Sequence, residues 1–508
     1  MKSSALALAA TLLTSSASAQ VLQWDIEKRA HQGSNRLRRR DDSSTVNQVV
    51  KNEQTQGGYF ATVKIGSNKQ ELSLQLDTGS SDVWVPYYQA EACQAHGGRQ
   101  PSKGCVLGSC MSLLSRINYQ LRTFANPESP VNPRESETFE DLGKGTFKIK
   151  YVDESGAEGD YFADDFTIGG NTVKNLTMGL GIDTDIAFGL FGVGYAFNEA
   201  SNNEDQQFIY PNLPVALQDE GIIKTIAYSL WLNDLDASQG SILFGGIDTG
   251  KYHGDLARLD IVRDESNFTH FQVPLYGIEA VSPSGSDQLG SAELPVLAVL
   301  DSGTTLSYIP TEMAEQAWEE VGAQWEPEFG FAALPCSRAN SPGHFAFRFA
   351  SADGPSINVT MDELILDLSS GEPPVYNNGP NRGKTACAFG LQNQTQHDND
   401  PYLLGDTFLR SAYVVYDLVN NKIAIAPTKF NSSDSNVVAF PSHGAPIPSA
   451  TAVSTKSDTA PAATGAPANL AAGSGFKQGD DDSESSAMSV HLSASAIMVT
   501  LGAVLLML

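Results

Sequence analysis

The chain has 508 residues, 41% of them hydrophobic, which is enough for a large buried core spread over more than one ordinary domain and excludes disorder along its whole length. A formal net charge of −27 at pH 7 argues against nucleic acid as a partner, because a phosphate backbone repels such a surface. The same carboxylates repel one another near neutrality and are relieved by protonation, so an acidic working pH is expected.

The first 19 residues read as a secretory signal: Lys2 gives the positive start, an Ala/Leu-rich run follows, and Ala17-Ser18-Ala19 has the small-residue cleavage pattern. Residues 20–40 read as a pro-segment ending in the basic cluster Arg36-Leu37-Arg38-Arg39-Arg40, after which a dibasic-cutting protease would act; a solvated charge run is the alternative. From 56 to 427 short apolar and polar alternations are broken by Gly, Asn, Asp and Pro, the pattern of half-buried strands, as at 59–65, 71–76, 147–151 and 413–417. Helical patterns are few. The clearest covers 311–321, with Pro310 at its start and Thr311 as a candidate cap. The body is therefore mainly β.

An internal repeat divides that body into two related lobes, 41–229 and 230–430. Leu76-Asp77-Thr78-Gly79-Ser80 returns as Leu300-Asp301-Ser302-Gly303-Thr304, each at the end of an apolar strand. About a hundred residues later each is followed by two apolar residues and Gly, as Leu190-Phe191-Gly192 and Leu403-Leu404-Gly405. A single Asp-Thr-Gly is an ordinary turn. Two copies in matching contexts imply two lobes that each offer one Asp from a tight loop.

Five sequons stand at Asn175, Asn267, Asn358, Asn393 and Asn431, which fits passage through the secretory pathway. In that oxidising compartment the widely spaced Cys93, Cys105, Cys110, Cys336 and Cys387 favour disulfides over a metal cage. Cys336 with Cys387 is the preferred pair. The other three share one segment, so one remains free or pairs elsewhere, and Cys93 with Cys105 is favoured there. That segment, 87–134, also carries Arg99, Lys103, Arg116, Arg122 and Arg134, and is expected to be a surface insertion bordering a cleft.

From about Phe440 the composition turns to Ala, Ser, Thr, Pro and Gly, so 431–475 reads as a disordered, O-glycosylated stalk. Residues 488–508 are largely apolar without Lys or Arg, behind a polar spacer (476–487) and the small trio Gly473-Ser474-Gly475. That order is the signal for a glycosylphosphatidylinositol anchor, with Ser474 as the attachment candidate and 476–508 removed. A second set of small residues at 483–487 keeps the attachment position open. A membrane span is the competing reading, but nothing basic follows the tail to hold it on a cytoplasmic side.

Hydrolysing a peptide bond requires a nucleophile, a base to deprotonate it and an acid for the leaving nitrogen. Asp77 and Asp301 can supply all of this with one water, so no metal or cofactor is expected. Two close carboxyls cannot both ionise cheaply; they share a proton and titrate as a unit. The ionised member activates water and the protonated one polarises the scissile carbonyl. Gly79 and Gly303 let main-chain N–H groups approach the carboxylates. Thr78 and Ser302 can hydrogen-bond across to the other lobe, and Ser80 and Thr304 can brace the outer oxygens. No His-Glu-x-x-His or Gly-x-Ser-x-Gly pattern offers another hydrolase class. A catalytically silent peptide-binding relative would be expected to lack a dyad Asp, and both are present.

With these residues in place, the chain resembles a pepsin-like aspartic protease over about 57–427. The matching stretches are LDTGSSDVWVP at 76–86, LDSGTTLSYIP at 300–310, SILFGGID at 241–248 and YLLGDTFLRSAYVVYD at 402–417. With its signal, basic pro-site, stalk and apolar tail it is similar to the yapsin-like, lipid-anchored fungal members. The resemblance implies a bilobal β fold working as a monomer on protein and peptide substrates across a cleft. It also implies a hairpin flap, here 148–155, whose Tyr151 hydrogen-bonds Trp84 and whose Ser155 lies against the substrate. Val152 and Glu154 depart from the family flap, which often carries Gly at these places. Asp153 and Glu154 overhanging the cleft would attract Lys or Arg of a substrate; two solvated turn carboxylates are the alternative.

Overall fold

A computed structural model describes residues 22–30, 57–87, 90, 135–453 and 470–477, apart from 187, 204–206, 238, 265, 328, 368–373, 378 and 395–400. The expected signal at 1–19, the basic cluster at 36–40, Cys93, Cys105, Cys110 and the tail 488–508 lie outside the described residues. The fold is mainly β and bilobal. Asp77 and Asp301 end two strands, Gln70–Asp77 and Val296–Leu300, one in each lobe.

The repeat in the sequence is a repeat in topology. Gln70–Asp77 runs parallel to Gly189–Gly192, with Leu76 opposite Phe191. Val83–Pro86 then pairs antiparallel with that same strand. In the second lobe Val296–Leu300 runs parallel to Tyr402–Leu404, with Leu300 opposite Leu404, and Ser307–Ile309 pairs antiparallel with the latter. These inner strands are buried on both faces, which is why they read as unbroken apolar runs in the sequence.

One continuous sheet joins the lobes: Leu256–Asp260, Lys422–Pro427, Ala412–Asp417, Ala227–Trp231, Gln239–Phe244, Leu22–Ala30 and Gly57–Ile65 follow one another in it. Leu22–Ala30, within the expected pro-segment, pairs antiparallel with both Gln239–Phe244 and Gly57–Ile65. Behind the two Asp loops an aromatic group knits the halves together. Tyr228 stacks on Tyr416 at 4.9 Å between centroids, and Phe271 meets Tyr416 at 4.7 Å and Tyr195 at 5.1 Å.

Three sequence expectations are corrected in detail. The helix is Thr311–Val321 as expected, but Pro310 occupies the cap position and the Thr311 hydroxyl donates instead to the carbonyl of Gln394 at 3.3 Å. The strand expected over 147–151 is Glu140–Lys150; its first half is largely exposed and irregular in register, so it shows no apolar alternation, and Tyr151 falls in the turn beyond it. The stretch expected to be a disordered stalk is packed where it is described. Val437–Ala439 pairs with Gly246–Asp248 and Ala450–Ala452 pairs with Leu256–Asp260, while Phe440 and Ile447 bury against Trp231 and Tyr413. Average composition hid those few large apolar residues, whose spacing fills a groove on the second lobe.

Cys336 and Cys387 form a disulfide with Cα atoms 5.0 Å apart. It closes a loop of 51 residues, for which lost unfolded-state entropy corresponds to about 4 kcal/mol. Replacing both with Ser should lower the free energy of unfolding by about that amount in denaturant titrations. A variant as stable as the parent would show that the bridge constrains nothing the fold has not already fixed.

Candidate active site

The two loops grip each other through a symmetric set of hydrogen bonds. The Thr78 hydroxyl donates to the carbonyl of Leu300 at 2.9 Å and accepts from the Ser302 N–H at 2.9 Å. In return the Ser302 hydroxyl donates to the carbonyl of Leu76 at 3.1 Å and accepts from the Thr78 N–H at 3.2 Å. All four groups are buried, where an unmade hydrogen bond is costly, so the lobes are held in one register. The amide of Gln75 adds a bond to the Gly303 carbonyl at 3.2 Å.

Each carboxylate is then held within its own loop. Asp77 accepts from the Gly79 and Ser80 N–H groups at 2.8 and 3.2 Å and from the Ser80 hydroxyl. Asp301 accepts from the Gly303 N–H at 2.8 Å and the Thr304 hydroxyl at 2.6 Å. A Cβ on Gly79 would lie 2.6 Å from Asp301 Oδ1, and one on Gly303 would strike Asp77, so glycine at both places lets the carboxyls meet. Asp77 is 3% and Asp301 7% exposed. Burial first, then the charge of Asp301, push the Asp77 carboxyl up to about 8, and the two side chains are within hydrogen-bonding reach. The arrangement sets two buried carboxyls of opposite lobes against each other.

The flap comes from the hairpin Glu140–Lys150 and Gly156–Ile168. Trp84 Nε1 donates to the Tyr151 hydroxyl at 2.7 Å, and Trp84 is itself fully buried against Phe147. The Tyr151 phenol is raised by burial and by the Asp77 charge. Tyr151 and Ser155 close the turn with an N–H to carbonyl bond of 2.9 Å, and Glu154 adopts φ +70° there. Glycine takes that left-handed conformation without cost and Glu does not. The Asp153 carboxylate compensates by accepting from the Ser155 N–H and hydroxyl at 3.0 and 2.6 Å. Tyr308, in the second lobe, is pushed up to about 12 by burial and by the Asp153 charge.

The sequence reading assigned no role to Asp82, although it sits in the same stretch as Asp77. It is fully buried and accepts from Tyr210 OH at 2.6 Å, the Ala200 N–H at 2.8 Å and Tyr161 OH at 3.3 Å. Nearby Glu199 accepts from the Tyr210 N–H at 2.9 Å and is pushed up to about 9, by burial and then by Asp82. A third Asp close behind the Asp77 loop, in Ser80-Ser81-Asp82-Val83, was the signal available. In the other lobe Arg410 is buried against the Glu363 carboxylate and carbonyl.

Of the five sequon residues, Asn175, Asn267, Asn358 and Asn431 are exposed and Asn393 is half-buried in Leu391–Asn393. No helix among the described residues is long and apolar enough to cross a membrane.

Comparison with known proteins matches residues 58–428 to the family described as eukaryotic aspartyl protease. The chain is 37% identical to "Probable aspartic-type endopeptidase opsB" of Aspergillus fumigatus over 82% of its own length and 78% of the relative's. It is 34% identical to "Acid protease" of Saccharomycopsis fibuligera, covering 73% and 81%. With "Secreted aspartic protease 8" of Candida albicans it shares 33%, covering 74% and 77%.

Two measurements check this site. The Ser80 hydroxyl stabilises the ionised form of Asp77, so Ser80→Ala should let the pair keep its proton longer and move the alkaline limb of kcat/KM upward by about one pH unit. An unmoved limb would separate Ser80 from the shared proton. Glu199 keeps its proton in the folded state up to about 9 but loses it near 4.5 when unfolded, so the folded state loses stability as pH rises between those values. Glu199→Gln should flatten that decline, read as the denaturant midpoint between about pH 5 and pH 8; an equally steep decline would place its cause elsewhere.

Proposed function

The chain belongs to the eukaryotic aspartyl protease family and is an aspartic-type endopeptidase, and from that premise we propose that it acts at the cell surface, at acidic pH, with a preference for Lys or Arg beside the scissile bond. The observation that carries the catalytic part is the reciprocal Thr78 and Ser302 bonding, which brings the Asp77 and Asp301 carboxyls together in a nearly water-free floor. The protonated member of the Asp77 and Asp301 pair polarises the scissile carbonyl. The ionised member takes a proton from a water between them. The hydroxide equivalent adds to the carbonyl carbon to give a tetrahedral diol. The two carboxyls have exchanged protonation states once the diol forms. The newly protonated carboxyl then gives its proton to the nitrogen while the newly ionised one takes a proton from a diol hydroxyl, so the C–N bond breaks without a covalent enzyme intermediate.

An acidic optimum is supported by the same burial that raises Asp77 and Glu199, by the surface charge of −27, and by the name of the Saccharomycopsis relative. Secretion is supported by the first 19 residues and by the name of the Candida relative. Four exposed sequons are the proposed glycosylation sites of the body, with Asn393 less accessible. A cut after Arg40 would leave the strand Leu22–Ala30 paired in the sheet with no peptide bond joining it to the body. Attachment through a glycosylphosphatidylinositol lipid rests on the order of small residues, spacer and apolar tail at the C-terminal end. The basic preference rests on Asp153, whose charge reaches Tyr308 in the second lobe.

Digestion of a protein substrate from acidic to neutral pH should decline toward neutrality and vanish in Asp301→Asn; a variant that digests as well as the parent would end the catalytic assignment. Asp153→Asn keeps an acceptor for Ser155 while removing the charge, so the ratio of kcat/KM for basic over apolar peptides should fall about fivefold. An unchanged ratio would remove Asp153 from specificity. Phosphatidylinositol-specific phospholipase C should release the protein from intact cells, and retention on the cells would count against the lipid anchor.

A further inference from the structure

Far beyond the last residue the active site uses, 470–477 packs into the second lobe against the helix Thr311–Val321 and the strand Gln272–Ser282. Gly473–Phe476 makes one helical turn. Ala472 and Phe476 are fully buried and belong to the main apolar core. The Phe476 ring stacks on Phe345 with centroids 5.5 Å apart and planes at 17°. It lies over Gly343, where any Cβ would run into the ring.

The backbone of the segment is tied down as well. Ser282 and Ser284 donate to the Ala472 carbonyl at 2.6 and 3.2 Å, and Ser284 also donates to the Ala471 carbonyl at 2.5 Å. The Ala472 N–H donates to Asp287 at 2.7 Å and the Gly475 N–H to the Ser284 hydroxyl at 2.8 Å. The Phe476 carbonyl accepts from Arg338 Nη1 and from the Ser341 hydroxyl, both at 3.0 Å. Ala-Ala-Gly-Ser-Gly has little intrinsic reason to hold a shape. Its order therefore comes from the surface that receives it, and Phe476 is the side chain that fills the slot.

Lipid attachment of the kind proposed above transfers the carbonyl of the attachment residue from the nitrogen of the next residue to the amine of a glycolipid. The downstream peptide leaves with a new free amino terminus. Attachment at Ser474 would discard Gly475, Phe476 and Lys477, emptying the slot beside Phe345 and removing the acceptor shared by Arg338 and Ser341. We propose that 470–477 is a clasp that fastens the end of the mature chain to the second lobe, and that the lipid is attached beyond Lys477, not at Ser474. This assignment rests on the lipid-anchor reading. The small residues at 483–487 are then the candidates, at most ten residues past Lys477 (487 minus 477), a reach of at most about 35 Å.

Trypsin makes the two outcomes separable, because cuts after Lys456 and Lys477 bound one peptide, 457–477. Full-length protein released from cells with the phospholipase and stripped of O-linked sugars should yield that peptide complete, with the glycolipid remnant on a peptide beginning at Gln478. A remnant on Ser474, with Phe476 missing, would overturn the clasp and leave the lipid anchor standing. A mature chain ending in an unmodified Leu508 would overturn the anchor and this assignment together. Hydrogen exchange tests the docking directly: the Ala472 and Gly475 amides of the parent should be protected, and Phe476→Ala should speed their exchange at least tenfold. If that variant fails to fold, Ser284→Ala should produce a smaller acceleration confined to the same segment. Unprotected amides in the parent would overturn the clasp.

Discussion

Thr78 and Ser302 each hold the backbone beneath the other's loop, so neither lobe can position its carboxylate without its counterpart. Asp77 and Asp301 meet only because that cross-bonding fixes the lobes to within a hydrogen bond. Glycine at 79 and 303 then leaves room for the carboxyls to approach. The chemistry follows from the resulting electrostatics. Two buried acids at contact distance cannot both be charged, so one proton remains and divides the roles of acid and base between identical side chains.

The flap illustrates how a fold compensates for an unusual sequence. Glu154 takes a left-handed conformation that suits glycine, and Asp153 steadies the same turn through two bonds to Ser155. The carboxylate that repairs the turn is also the one whose charge is felt by Tyr308 on the facing lobe. Local backbone repair and the charge at Tyr308 thus come from one side chain. Buried Asp82 and Glu199 extend the acidic character into the first lobe, behind Trp84 and the flap tyrosine.

The two ends of the described chain are drawn into the body. Leu22–Ala30 lies in the sheet that joins the lobes, and the region after 430 returns twice to the second lobe, through Phe440 and Ile447 and again through Phe476. Each return depends on one or two large apolar side chains in a polar, small-residue context. That is enough to dock a short segment on a preformed surface, though too little to build a core of its own.

The sequence by itself determined the β class, the duplicated lobes, the dyad, the flap tyrosine with its tryptophan, the Thr311–Val321 helix and the Cys336 to Cys387 bridge. Each of these is written in local pattern or in an exact internal repetition, and neither depends on distant contacts. Only the tertiary structure decided what Asp82, Glu199 and Glu363 do, because a buried acid acquires meaning from partners more than a hundred residues away for Asp82 and about fifty for Glu363. Only the tertiary structure, too, turned 437–453 and 470–477 from expected stalk into docked segments. Composition averages over a window, whereas burial is decided side chain by side chain, and Phe440 and Phe476 each found a cavity that no local signal describes.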